Sequence, residues 1–231
     1  MTNFYIVAGC RPWNRKAYDR HLKSQMSGDW DFASTIEELN TLMERPESPR
    51  FIFFLHWSWK VPREVWSRTE CVCFHMAPLP FGRGGSPLQN LILLGHNHTK
   101  LNALRMDETL DSGPIYFQED LCLQGTAEEI YVRASSQACR MIKKIVIKEP
   151  PPTPQTGEGL VFSRRKPTES RLPELQDLET LYDFIRMLDA DGYPRAYLEY
   201  QGFRIELSRA CRYDGRIVAD AIITHVGDAH S

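Results

Sequence analysis

The sequence predicts an α/β fold with a mostly parallel sheet, followed by a small α+β domain. Three observations lead there. Short apolar runs, FYIVAGC (4–10), RFIFFLHWSW (50–59) and ECVCFH (70–75), alternate with stretches of helical spacing. The runs lack the polar-out alternation of a half-solvated strand, so they read as strands covered on both faces. A stretch rich in proline and glycine, KEPPPTPQTGEG (148–159), then interrupts the pattern and marks a boundary.

The first strand, 4–10, is followed by a helix over 14–26 capped by Asn14. DWDFA (29–33) is a short strand. The helix over 34–45 opens with Ser34-x-x-Glu37, a capping-box pattern, and stops before Pro46. After the strand 50–59 comes a short helix starting at Pro62, then the strand 70–75. SPLQNLILLG (86–95) reads as a helix with Ser86 as cap, Pro87 at its first position and Gly95 at its end. Strands follow at 100–107 and 113–120. The clearest helix is 125–146, with Ile130, Val132, Ala134, Ala138, Met141, Ile142 and Ile145 as its apolar stripe. Beyond the proline-rich segment lie a helix over 175–190, a hairpin and a further strand. The organisation is a first domain over 1–147, a connecting segment over 148–174 and a small C-terminal domain over 175–231.

A chain of 231 residues can bury a sizeable core. Its net charge of −2 provides no basic field for phosphate backbones, which disfavours a nucleic-acid partner. A small anionic ligand held by a few arginines stays compatible with it. The six cysteines form no CxxC pair, and no signal-peptide pattern opens the chain. No apolar run reaches the roughly 18 residues of a membrane span. The expected compartment is the cytoplasm, with reduced thiols and no membrane partner; a homodimer is left open.

Three polar features stand out. They are His75 at the end of an apolar strand, the loop Arg83-Gly84-Gly85, and Asp111 in LDSGP. Strand geometry puts Cys71, Cys73 and His75 on one face. In open α/β sheets, ligands sit at the carboxyl ends of the parallel strands, where His75 would be. The alternative is a hydrogen-bonded core histidine. Arg11 and Trp13 follow the first strand, where a βα loop meets a substrate. Trp57 and Trp59 in HWSW read either as ligand-facing aromatics or as half-buried packing. GHNH (95–98) has no carboxylate or thiol at ligand spacing, so no metal is expected. The cations of FSRRKP (162–167) are either phosphate ligands or merely solvated.

HMAPLPFGRGGSPLQNLI followed by TKLNALRMDETLDSGPIY resembles the core of the folate-dependent formyltransferases, which include methionyl-tRNA and sugar N-formyltransferases. That family's pattern is Asn-x-His-x-Ser-Leu-Leu-Pro, a glycine-rich turn with proline, then Leu-Asp-x-Gly. His75, Leu79, Pro80, Gly82, Arg83, Pro87, Gly95, Leu110, Asp111 and Gly113 match it in order. The resemblance extends over about residues 1–146 at fold level, with a weaker echo at DFIRMLDADGYPRAYLEYQG.

The resemblance implies a Rossmann-like catalytic domain and transfer of a formyl group from N10-formyltetrahydrofolate to a primary amine. It implies His75 as oxyanion stabiliser and Asp111 as its partner in proton relay. Leu79, Pro80, Arg83, Gly84, Leu110, Gly113 and Trp57 would contact the reduced folate. Arg11, Trp13 and Trp59 are assigned to the acceptor by their places after the first and third strands, and the family gives Arg11 and Trp13 no firm role. Acyl transfer needs a donor aimed at the developing oxyanion and a base near neutrality, and the pair can supply both. A carboxylate beside an imidazole favours its charged form.

Departures from the pattern point to a divergent subfamily. The family's asparagine falls on Cys73, its serine on Ala77 and its first leucine on Pro78. A thiol is a poor hydrogen-bond donor, and losing one oxyanion donor typically costs about 2.7–4 kcal/mol. Asn102, on the next strand, is the candidate replacement. The expected acceptor is an amino sugar or nucleotide-linked amino sugar. The alternatives are a folate-binding relative with reduced or lost catalysis, or methionyl-tRNA formyltransferase-like activity.

Overall fold

The structure, a computed structural model, describes residues 3–227. Four strands, β1 (Phe4–Ala8), β2 (Asp29–Ala33), β3 (Phe51–Phe54) and β4 (Glu70–His75), run parallel in the order β2-β1-β3-β4. Helices α1 (Pro12–Tyr18), α2 (Ile36–Met43) and α3 (Arg63–Trp66) make the crossovers. Every residue of β1 and β3 is buried, as strands covered on both faces require. The sheet continues through β6 (His98–Arg105), antiparallel to β4, to β7 (Ile115–Cys122). Between β4 and β6 lie β5 (Phe81–Gly84) and α4 (Pro87–Leu93). One core cluster gathers Phe4, Ile6, Ile52, Phe54 and Cys71, with Leu42, Trp57 and Met106 packed against it.

The long helix α5 (Ala127–Lys148) buries Ile130, Ala134, Ala138, Met141, Ile142 and Ile145. Val132, which the apolar pattern includes, is 46% exposed, because it falls nearly half a turn from that stripe. Then come β8 (Leu160–Phe162), α6 (Leu178–Arg186) and an antiparallel sheet of β9 (Ala196–Tyr200), β10 (Phe203–Tyr213) and β11 (Arg216–His225). Asp177 caps α6, accepting the Thr180 N–H at 2.7 Å.

The chain packs as two compact units that interleave in sequence. One contains the residues up to Gly84, Thr99–Leu121 and Tyr131–Val161. The other contains Gly85–His98, Cys122–Ile130 and the segment from Phe162 onward. Among the described residues, no helix is long and apolar enough to cross a membrane.

Several local expectations shift. Helix α1 starts at Pro12, so Asn14 is its third residue and not its cap. Its Oδ1 accepts the Arg11 N–H at 3.1 Å, and its amide donates to Ser135 Oγ at 2.9 Å. The box opening α2 is displaced by one residue. Thr35 Oγ1 accepts from Glu38 N, and the Glu38 carboxylate accepts from Ser34 N. Strand β3 ends at Phe54, four residues after Arg50, because the chain turns at His56 with φ of 50°. Ser86 keeps the cap position of α4 in a left-handed conformation. Its hydroxyl accepts the Arg165 N–H instead of closing the helix end.

Candidate active site

His75 is the last residue of β4, at the carboxyl end of the parallel strands, and is 7% exposed. Its Nε2 lies 2.7 Å from the Gly82 carbonyl, and its Nδ1 lies 3.4 Å from Oδ2 of Asp111. Both neighbours are acceptors, so Nε2–H donates to Gly82. The antiparallel register of β4 and β6 sets His75 opposite Asn102. Asn102 is fully buried and donates its two amide hydrogens to the carbonyls of His75 at 3.1 Å and Ala77 at 2.5 Å. Its own oxygen accepts from Gln118 at 2.8 Å. Asn102 therefore steers the chain as it leaves β4. With both donors engaged on backbone carbonyls, it does not supply the free N–H expected of an oxyanion donor.

Asp111 is held in a left-handed backbone conformation, φ 54°. Its side chain, 12% exposed, accepts the Gly84 N–H at 3.0 Å through the same Oδ2 that faces His75. The next turn passes tight against the end of β6. A β-carbon on Gly113 would sit 1.8 Å from the Arg105 carbonyl oxygen, so only glycine fits there. Leu79, joined to Pro80 by a cis peptide, is buried. Leu110 is 72% exposed immediately before Asp111.

Arg83 turns to the proline-rich segment, where its Nε and Nη2 donate to Gln155 Oε1 at 3.1 and 2.7 Å. Gln155 in turn donates to the carbonyls of Asp111 and Gly113, both at 2.8 Å. No sequence pattern marks Gln155 or the Gly82 carbonyl. The first sits in a proline run without periodicity, and the second is a backbone atom that no residue type announces.

Cys73 packs against the core cluster of Cys71. Burial, with the Asp111 carboxylate nearby, pushes its thiol well above the usual range. Cys73 is therefore a protonated thiol.

Trp13 is buried and stacked on Tyr131 at 5.6 Å, with His56 edge-on to the same ring at 4.5 Å. Burial and then the Arg11 charge push His56 down to about 4, so its ring is neutral. Trp57 packs edge-on against Phe54, and Trp59, 42% exposed, leans on Trp57 at 4.8 Å. These aromatics form packing clusters at the ends of β1 and β3. Trp59 alone among the three tryptophans presents a substantial free surface. A depression of about 890 Å³, lined by Glu128, Asp189, Arg195, Ser208 and Arg209, contains none of the motif residues.

A family model for the methionyl-tRNA formyltransferase C-terminal domain matches residues 167–224. The solved methionyl-tRNA formyltransferase from Clostridium thermocellum is 43% identical, with a TM-score of 0.90, over 97% of this chain and 100% of that one. The methionyl-tRNA formyltransferase of Sinorhizobium medicae is 29% identical over 148 residues, covering 60% of this chain and 47% of that protein. The chain thus spans about half the length of the curated relatives it matches. HypX from Aquifex aeolicus, solved with tetrahydrofolic acid, shares the fold at TM-score 0.70 and 18% identity, over 89% of this chain and 37% of that one. The match with the Clostridium protein covers nearly all of both chains. The chain belongs to the formyltransferase family.

Proposed function

We propose that this chain transfers a formyl group from N10-formyltetrahydrofolate to a primary amine, with His75 and Asp111 at the reacting centre. The observation that carries the reading is the buried His75–Asp111 pair at the carboxyl end of β4. Its support is the full-length similarity to a protein named methionyl-tRNA formyltransferase. A reduced folate fits the donor set. Leu110 leaves an apolar surface for a flat heterocycle beside a largely buried polar pair.

When bound, the cosubstrate supplies a formyl carbon open to attack by an amine. His75 supplies an N–H where negative charge develops on the formyl oxygen. To reach a ligand oxygen, Nε2–H gives up the Gly82 carbonyl, which belongs to a residue at φ 81° in the Gly-Arg-Gly-Gly loop. Asp111 orients the ring from the Nδ1 side and accepts a proton from the incoming ammonium, a proton that would be available to N10 of the departing tetrahydrofolate as the bond to the formyl carbon breaks. Low exposure of both side chains keeps competing water away and strengthens these contacts. The six cysteines, all free, suit a reducing compartment such as the cytoplasm.

The acceptor we infer is the α-amine of methionyl-tRNA, on the strength of the relatives' names. The amino-sugar acceptor expected from the sequence becomes the second reading, favoured by a net charge of −2 that does little for binding a polyanion. Purified full chain, given the formyl donor with methionyl-tRNA or with a panel of nucleotide-linked amino sugars, separates the two by mass spectrometry of the products. Formyl-methionyl-tRNA supports the first reading, and a formylated sugar alone moves the acceptor to the second. No product with either, together with no affinity for reduced folates, overturns formyl transfer altogether.

A further inference from the structure

The proline-rich segment read from sequence as a connector is tied to the Asp111 turn. Thr153 exchanges both backbone hydrogen bonds with Ile115, each at 2.8 Å. Two residues on, Gln155 uses its whole side chain. Its amide donates to the carbonyls on either side of Ser112, those of Asp111 and Gly113. Its oxygen accepts twice from Arg83. An amide has two donor hydrogens and two acceptor lone pairs, and all four are engaged.

These contacts close a ring around the carboxylate. Arg83 precedes Gly84 in β5, and Gly84 N–H holds Asp111 Oδ2. Gln155 holds the Asp111 backbone from the other side and grips β5 through Arg83. A non-glycine residue at φ 54° persists only where its surroundings over-determine it. Gln155 supplies that determination from outside the turn. The prolines at 150, 151, 152 and 154 stiffen the segment that carries it, so little freedom is lost in making the four bonds.

We propose that Gln155 is a positioning residue for formyl transfer, holding Asp111 at its distance from His75. This rests on the formyltransferase reading above. A merely structural role would have Gln155 fasten the proline-rich segment with no consequence for the chemistry.

Gln155→Leu removes all four bonds. Gln155→Glu keeps the two from Arg83 and removes both donors to the Asp111 turn. Each is expected to lower the single-turnover rate about tenfold or more, with the affinity for a reduced folate within about twofold of the parent, because small displacements of a reacting group are costly. In an Asp111→Asn background the same Gln155→Leu change should add less than about twofold, since a positioning residue has nothing left to position. Full activity in Gln155→Glu, or a loss that multiplies with that of Asp111→Asn, overturns the proposal. Hydrogen exchange of residues 109–114 in the ligand-free protein provides the arm that needs no turnover. Exchange at least about tenfold faster in Gln155→Leu is expected, and unchanged exchange overturns the tether. Should the parent show no formyl transfer, the functional reading fails by itself, and the exchange result still decides whether Gln155 holds the turn.

Discussion

A single carboxylate oxygen, Oδ2 of Asp111, lies 3.4 Å from Nδ1 of His75 and also accepts the Gly84 N–H at 3.0 Å. The pair bridges the end of a central strand and a turn that follows β6. The Gly84 contact anchors the carboxylate from the loop that leaves the histidine, so ring and carboxylate are held by one short stretch of chain.

Removing the ring should separate binding from chemistry. His75→Ala is expected to lower the rate of formyl transfer by about 10²-fold or more, the usual contribution of a positioned proton-transfer group. Affinity for a reduced folate, measured by calorimetry, should change by less than about threefold. An unaltered rate would return His75 to the role of a core histidine bonded to Gly82.

Asn102 should matter through the fold. Asn102→Leu leaves the buried carbonyls of His75 and Ala77, and the amide of Gln118, without their partner. The expected cost is about 2–4 kcal/mol, read as a lower urea midpoint with unchanged slope. A change within about 0.5 kcal/mol would mean these bonds do not hold the strand exit.

His56 gives the fold a pH dependence. Its value falls from 6.5 to about 4 through burial and the Arg11 charge, so the unfolded chain binds the proton more readily. This contribution is fully present above pH 6.5 and is lost as pH falls towards 4. At about 1.4 kcal/mol per pH unit, the loss is on the order of 3 kcal/mol. His56→Asn tolerates the left-handed backbone at this position. Urea unfolding at pH 7 and pH 4.5 should show a smaller acid loss in the variant than in the parent; equal losses would assign the acid sensitivity elsewhere.

Thiol chemistry should be confined to the surface. Burial pushes Cys71 and Cys139 to about 12 and Cys73 well above its ordinary value, while Cys211 is exposed. Native protein treated with iodoacetamide at pH 8 should carry its label on Cys211 and none on Cys73 until it unfolds. Labelling of Cys73 as fast as Cys211 would mean that its thiol is open to solvent.

Much of this was legible in the residues. The strand 70–75 has the predicted bounds because an unbroken apolar run ends at a histidine followed by prolines. The pairing of His75 with Asp111 followed from matching motifs 36 residues apart. What stayed hidden depends on backbone geometry and register. The engagement of both Asn102 donors comes from its place opposite His75 in the ladder. The cap displaced from Ser34 falls on Thr35, a neighbour of equal capping chemistry, and local pattern does not choose between the two. At α1 the cap position falls on Arg11, because Pro12 opens the helix and Asn14 reaches back from its third position. Gln155 and the destination of Arg83 require knowing that the proline-rich segment folds back beside Ile115.

The most direct measurement is the single-turnover rate of formyl transfer from N10-formyltetrahydrofolate by the full chain and by its Asp111→Asn variant, with folate affinity measured alongside. A fall of about 10²-fold or more at nearly constant affinity is the predicted result. Equal rates in the two proteins, or no binding of reduced folate by either, would contradict it.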